Sequence, residues 1–113
     1  MQEICYYKTK NGYEIDFLIK EGKKIKKLIQ VTYANSYDEI KEREIRALLH
    51  AKEELNLSDD VPLTVITWDY EDKKEVEWWR KRGKIRFVPL WKWLLEDEHL
   101  ARKSDGGSRV QGR

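Results

Sequence analysis

The stretch from Asn11 to Tyr33, NGYEIDFLIKEGKKIKKLIQVTY, decides the fold. Asn11-Gly12 is the dipeptide that two-residue hairpin turns prefer, because a type I′ turn needs positive φ at both central positions. From Tyr13 to Ile19 apolar and charged residues nearly alternate, which predicts a strand with Ile15, Phe17 and Ile19 on one face. Glu21-Gly22-Lys23 marks a second turn. Ile25 to Tyr33 reads as a further strand, with Gln30 set among apolar neighbours. Outward on the N-terminal side, Ile4 to Lys8 is short and rich in β-formers. Three strands joined by two tight turns make an antiparallel meander.

On the C-terminal side, Ser36-Tyr37-Asp38-Glu39 fits a capping box and predicts a helix from Ser36 to about Leu55. Ile40, Ala47, Leu48, Ala51 and Leu55 supply its apolar stripe, widened by Ile45 and Leu49. Residues 56–62 break it. Leu63 to Trp68 is β-branched and uncharged, the composition of a strand buried on both faces. Reaching such a strand through a helix implies a parallel crossover. Lys73 to Arg82 reads as a second helix ending at Gly83, Lys84 to Val88 as a last strand, and Pro89 as the opening of a short helix over Leu90 to Glu96. The expected organisation is one α/β domain over residues 1–96 and a disordered tail over 97–113, where Gly, Ser and Arg replace any apolar period.

Of 113 residues, 39% are charged and 12% aromatic, yet there is one cysteine, Cys5, and two histidines, His50 and His99. A disulfide and a Cys/His zinc site are therefore excluded within the chain. Abundant Lys and Glu with few oxidisable residues fit a thermophile. Met1 leads into Gln2, Glu3, Ile4 and Cys5 and then charge, unlike a secretory leader, and no apolar run reaches the length of a membrane span. A cytoplasmic protein with no membrane partner is expected. The net charge is +2, but residues 99–113 hold Arg102, Lys103, Arg109 and Arg113 against Asp105, which leaves residues 1–98 at −1. Any nucleic-acid contact would need a local basic patch. The candidates are Lys23, Lys24, Lys26 and Lys27 at the second turn, and Arg80, Lys81, Arg82 and Lys84 near Gly83.

Four blocks, Tyr6 to Phe17, Leu28 to Tyr33, Arg43 to Leu48 and Leu63 to Trp68, together resemble the C-terminal domain of unknown function found on archaeal and bacterial AAA+ type ATPases. That domain is regarded as a PD-(D/E)xK nuclease-like fold. The resemblance covers most of residues 4–96 and implies a restriction-endonuclease-like α/β core, with a mixed central sheet built from the meander plus parallel strands and flanked by helices. Members usually carry a helix before the first strand, whereas this chain begins at the strand. It also lacks the P-loop pattern GxxxxGK[ST], so no ATP binding is expected in this chain. A stand-alone remnant and a fragment of a longer ATPase both fit.

Active nucleases of this fold hold Mg²⁺ on one carboxylate of the second strand and one of the third, with a lysine two residues further on. The resemblance places Asp16 at the first position, Gln30 at the second and Thr32 at the lysine. Gln30 and Thr32 share a strand face by period, as do Glu14 and Asp16. Gln30 is a neutral ligand and Thr32 carries no charge, so the motif is degenerate. Glu44 could restore a carboxylate, and Lys41 or Arg43 a cation, from the following helix.

Each of these residues also has a plain structural reading. Glu14 and Asp16 fit a solvated strand face, Gln30 a satisfied buried amide, and Arg43 and Glu44 a solvated helix face. Trp78-Trp79 and Trp91/Trp93 fit base-stacking platforms but fit core packing better. The leading expectation is a degenerate nuclease-like module that binds nucleic acid or a protein, with no cofactor. An active Mg²⁺-dependent DNA endonuclease or Holliday junction resolvase-like enzyme, and a pure dimerisation or partner-docking domain, are the alternatives. The missing leading helix and the aromatic excess predict a homodimer.

Overall fold

The meander forms: β1 (Gln2–Lys8), β2 (Glu14–Glu21) and β3 (Lys24–Val31) pair antiparallel in order. Its first connection is not the two-residue turn that Asn11-Gly12 suggests but a loop over residues 9–13, in which Gly12 and not Asn11 takes positive φ. The computed structural model describes residues 2–96. The expected tail, His99 and the arginines beyond it lie outside the described residues. β3 then pairs parallel with β4 (Leu63–Thr67), all five of whose residues are buried. β4 pairs parallel with β6 (Lys81–Pro89), and β6 pairs antiparallel with the edge strand β5 (Asp72–Trp78), giving the order β1-β2-β3-β4-β6-β5. The domain is thus α/β with a mixed six-stranded sheet.

Helix α1 (Glu42–Glu54) covers one face of the sheet with Ile45, Ala47, Leu48 and Ala51, packed over Leu28, Leu63, Val65, Ile85 and Phe87. On the other face a smaller cluster of Ile19, Ile29, Ile66 and Val88 meets Trp93, from the short helical segment at residues 90–96.

Several expectations are corrected. Ile15, Phe17 and Ile19 do not share a face. Between Cys5 and Tyr7 the register advances two residues on β1 but three on β2, so β2 bulges at Asp16–Phe17. The bulge turns Ile15 and Leu18, three apart in sequence, into the same core under α1, while Ile19 points to the far side. Val31, one of the apolar neighbours of Gln30, is 41% exposed rather than in the core. The capping box does not form. Ser36 makes no side-chain cap, Glu39 accepts instead from the Asn35 N–H at 2.7 Å, and Tyr37–Glu39 makes a single 3₁₀ turn. Ile40 then goes extended to bury its side chain, so α1 starts at Glu42.

The largest correction is at residues 73–82, expected as a helix. Lys and Glu favour helix by propensity, but Lys74, Val76 and Trp78 alternate with exposed neighbours, and tertiary pairing with β6 wins. Gly83 is therefore no helix terminus. It sits opposite Val76 within β6, where an added Cβ would lie 2.8 Å from Leu63 Cδ1 and 3.2 Å from Leu49 Cδ2.

Candidate functional site

β2 and β3 stop pairing at Phe17–Ile29, and the gap beyond is bridged by a side chain. Gln30, 2% exposed, accepts the Asp16 N–H at 2.8 Å through Oε1. Its Nε2 donates to the Glu14 carbonyl at 2.9 Å and to the Glu44 carbonyl at 3.1 Å. The amide replaces ladder bonds that the bulge removes and ties both strands to the first turn of α1. Asp16 returns the contact, its Oδ2 accepting the Val31 N–H at 2.9 Å. Bulges beside a site re-aim side chains in this way.

The residues singled out from sequence come together here. Glu14, Asp16, Gln30, Arg43 and Glu44 line a recess of about 220 Å³ at the carboxyl end of β3. Thr32, Lys41 and Glu44 line an adjoining one of about 400 Å³. In open α/β sheets, crevices at strand carboxyl ends are where ligands bind. Glu44 Oε1 is buried with no hydrogen-bond partner among the described residues. Burial, and then the Asp16 charge, push the Glu44 carboxyl above its ordinary range, and Lys41 partly offsets this. Arg43 is held by the β1–β2 loop. It donates to the Gly12 carbonyl at 3.0 Å and lies 5.0 Å from the Tyr13 ring centre.

The donor set does not fit a nuclease Mg²⁺ centre. Such a site needs carboxylate oxygens in near-octahedral array. Gln30 Oε1 already accepts the Asp16 N–H, and both protons of its Nε2 are donated to carbonyls. Thr32, at the position where the resemblance implies a lysine, carries a neutral hydroxyl. Among the described residues, no three His, Cys, Asp or Glu side chains gather as a metal would require.

The eight basic candidates do not form one patch. Lys26 pairs with Glu21 at 3.8 Å, Lys81 with Glu53 at 3.1 Å, and Arg82 with Glu75 and Glu77 at 3.9 and 4.0 Å. Lys23 and Lys24 stay exposed at the β2–β3 turn, and Arg80 is exposed at the β5–β6 turn. Lys27 and Lys84, one from each candidate cluster, line the same cavity. Together with Lys73, Lys74 and Arg86 they line a cavity of about 580 Å³ beside Trp93, against the acidic Asp59, Glu75 and Glu96. Sequence reasoning missed Lys73, Arg86 and Trp93 as its partners. Reading 73–82 as a helix hid the alternation that puts Lys73 across from Arg86.

The tryptophan pairs divide. Trp78 is half-buried, with its ring 5.1 Å from His50 and the Arg46 guanidinium 4.5 Å from its centre, whereas Trp79 is exposed. Trp93 packs on the sheet, whereas Trp91 is exposed. Core packing thus describes one member of each pair. No helix among the described residues is long and apolar enough to cross a membrane.

No family model matches the chain. An uncharacterised protein of Methanocaldococcus jannaschii is 42% identical over 94 residues, which cover 83% of this chain and 20% of that protein. The chain therefore spans about a fifth of the length of the relative it matches.

Proposed function

We propose that this is a nuclease-like domain that binds nucleic acid without cutting it. The observation that carries the reading is the state of Gln30: the side chain at the position of the second metal carboxylate spends its amide on three backbone groups. Without that carboxylate, and with Thr32 in place of lysine, cleavage loses a hard-cation ligand and the charge that stabilises the transition state. The second term alone corresponds to roughly 10²–10³ in rate.

Binding is assigned to the cavity holding Lys27, Lys73, Lys84 and Arg86, where five cations face three carboxylates. Lys27, Lys73 and Lys84 make no ion pair within 4.0 Å among the described residues, so their charges are available to phosphates. Trp93 at its edge offers a stacking face. The recess around Asp16 and Glu44 is acidic and, without a metal, repels a phosphate backbone.

Electrophoresis of labelled duplex, single-stranded and branched DNA with Mg²⁺ or Mn²⁺ tests both halves of the proposal. Retarded but intact DNA is expected. Metal-dependent fragments that vanish in Asp16→Ala would favour the endonuclease or junction-resolvase reading instead.

Protein docking is the second reading, and a specific observation favours it. Phe17, Val31, Tyr33, Trp68, Leu94 and Leu95 are all more than 40% exposed on so small a domain. A segment that makes up a fifth of a longer relative has neighbours to cover such residues. If DNA is not retarded at low salt, this reading takes over.

A further inference from the structure

We infer that β1 is a self-pairing edge through which two copies of this chain join into one continuous sheet. This contact rests on no nucleic-acid role. The two edges of the sheet are built differently. β5, at one end, presents Asp72, Lys73, Glu75 and Glu77, the charges that keep an edge from pairing. β1, at the other end, has no strand beyond it among the described residues and presents Ile4 and Tyr6, 68% and 61% exposed.

A two-fold axis through an antiparallel β1 pair keeps each sheet face continuous, because residues directly opposite share a face. The register that pairs all seven residues puts Cys5 on the axis, against its copy. Ile4 then faces the second copy's Tyr6, and Tyr6 its Ile4, so the two exposed apolar side chains cover each other twice. Lys8 meets Gln2 and Glu3 meets Tyr7, so no like charges oppose. Moving the axis one residue towards Lys8 puts Ile4 against Lys8 and leaves two residues unpaired. The strand is therefore complementary to itself in one register, and that complementarity selects a second copy of the chain as the occupant.

Antiparallel partners stand about 4.5–5.5 Å apart at Cα, inside the window for a disulfide. Cys5 therefore reports the register. The test is light scattering on the full chain, combined with oxidative cross-linking. The expected result is a species of twice the 13.7 kDa chain mass, which copper-phenanthroline locks through Cys5. Cys5→Ser should remain dimeric and fail to cross-link. Tyr6→Lys should raise the dimer dissociation constant about tenfold or more, since each cross-strand contact is counted twice by symmetry. Leu94→Lys, on the other exposed apolar surface, should leave it unchanged. Both substituted side chains are exposed, and circular dichroism checks that the variants fold. A monomer at all concentrations, a dimer that Cys5 does not link, or one broken by Leu94→Lys and not by Tyr6→Lys would each overturn the inference.

Discussion

Gln30 carries the heaviest burden of any single residue in this domain. A buried donor or acceptor left unpaired costs about 1–3 kcal/mol, and Gln30 satisfies backbone groups from β2 and α1 at once. Gln30→Leu is expected to lower unfolding free energy by about 2–4 kcal/mol, read from urea denaturation. Gln30→Glu, which would supply the carboxylate that the resemblance implies, should be at least as costly at neutral pH. It sets a carboxylate against the Glu14 and Glu44 carbonyl oxygens. Part of that loss should return in acid, where the protonated Glu regains one donor. Glu44 has the same pH sense. Its folded pKa lies above its ordinary value of 4.5, so the folded state holds the proton more tightly than the unfolded chain. Stability from this group is greatest in acid and declines as pH rises through and beyond that value. Glu44→Gln should therefore stabilise the domain at pH 7, by less than about 1 kcal/mol after solvent screening. The gain should vanish below pH 4, which parallel denaturation curves at the two pH values would reveal. That Gln30 is a buried amide was legible from its apolar flanks. Which groups it satisfies was not, because the bulge that frees those groups depends on the pairing of β1 with β2.

At the scale of elements, local signals succeeded where turn chemistry and pattern agreed. Glu21-Gly22 closed one hairpin of the meander, Asn11-Gly12 marked the loop of the other without making its two-residue turn, and the uncharged run at Leu63–Thr67 became the buried central strand. They failed at β5, where a Lys- and Glu-rich segment reads as helix by propensity but is held as strand by β6. Nothing local marks its turn either. Trp79 and Arg80 stand at φ 52° and 68°, the left-handed region that a type I′ turn requires and that bulky residues resist. Trp79→Asn with Arg80→Gly should therefore stabilise the hairpin by about 1 kcal/mol or more. In a domain of this size that is a rise of roughly 4–8 °C in melting temperature, measured by calorimetry. Gly83→Ala should act the other way, since its methyl group meets Leu63 and Leu49 where β6 passes beneath α1. A loss of about 1–3 kcal/mol is expected from such overpacking.

For the whole molecule, the sheet separates two kinds of surface. Under the start of α1, at the carboxyl end of β3, lies an acidic recess lined by Glu14, Asp16 and Glu44. Beside Trp93, on the far side, lies the basic cavity. The residues of the recess were largely legible in the sequence: the resemblance singled out Asp16, Gln30 and Thr32, and Lys41 and Glu44 were candidates to make up their missing charges from the next helix. The cavity was not, because it draws Lys27, Lys73 and Lys84 from three strands whose adjacency only the topology supplies. Binding there should be electrostatic, so the affinity should fall steeply with salt. The most direct measurement is a gel-retardation series on labelled duplex DNA with Mg²⁺ present and salt varied, for wild type and Lys27→Glu/Lys84→Glu. The account predicts an intact, salt-sensitive retarded band that the double variant loses. Fragments that depend on Asp16, or retardation indifferent to Lys27 and Lys84, would contradict it.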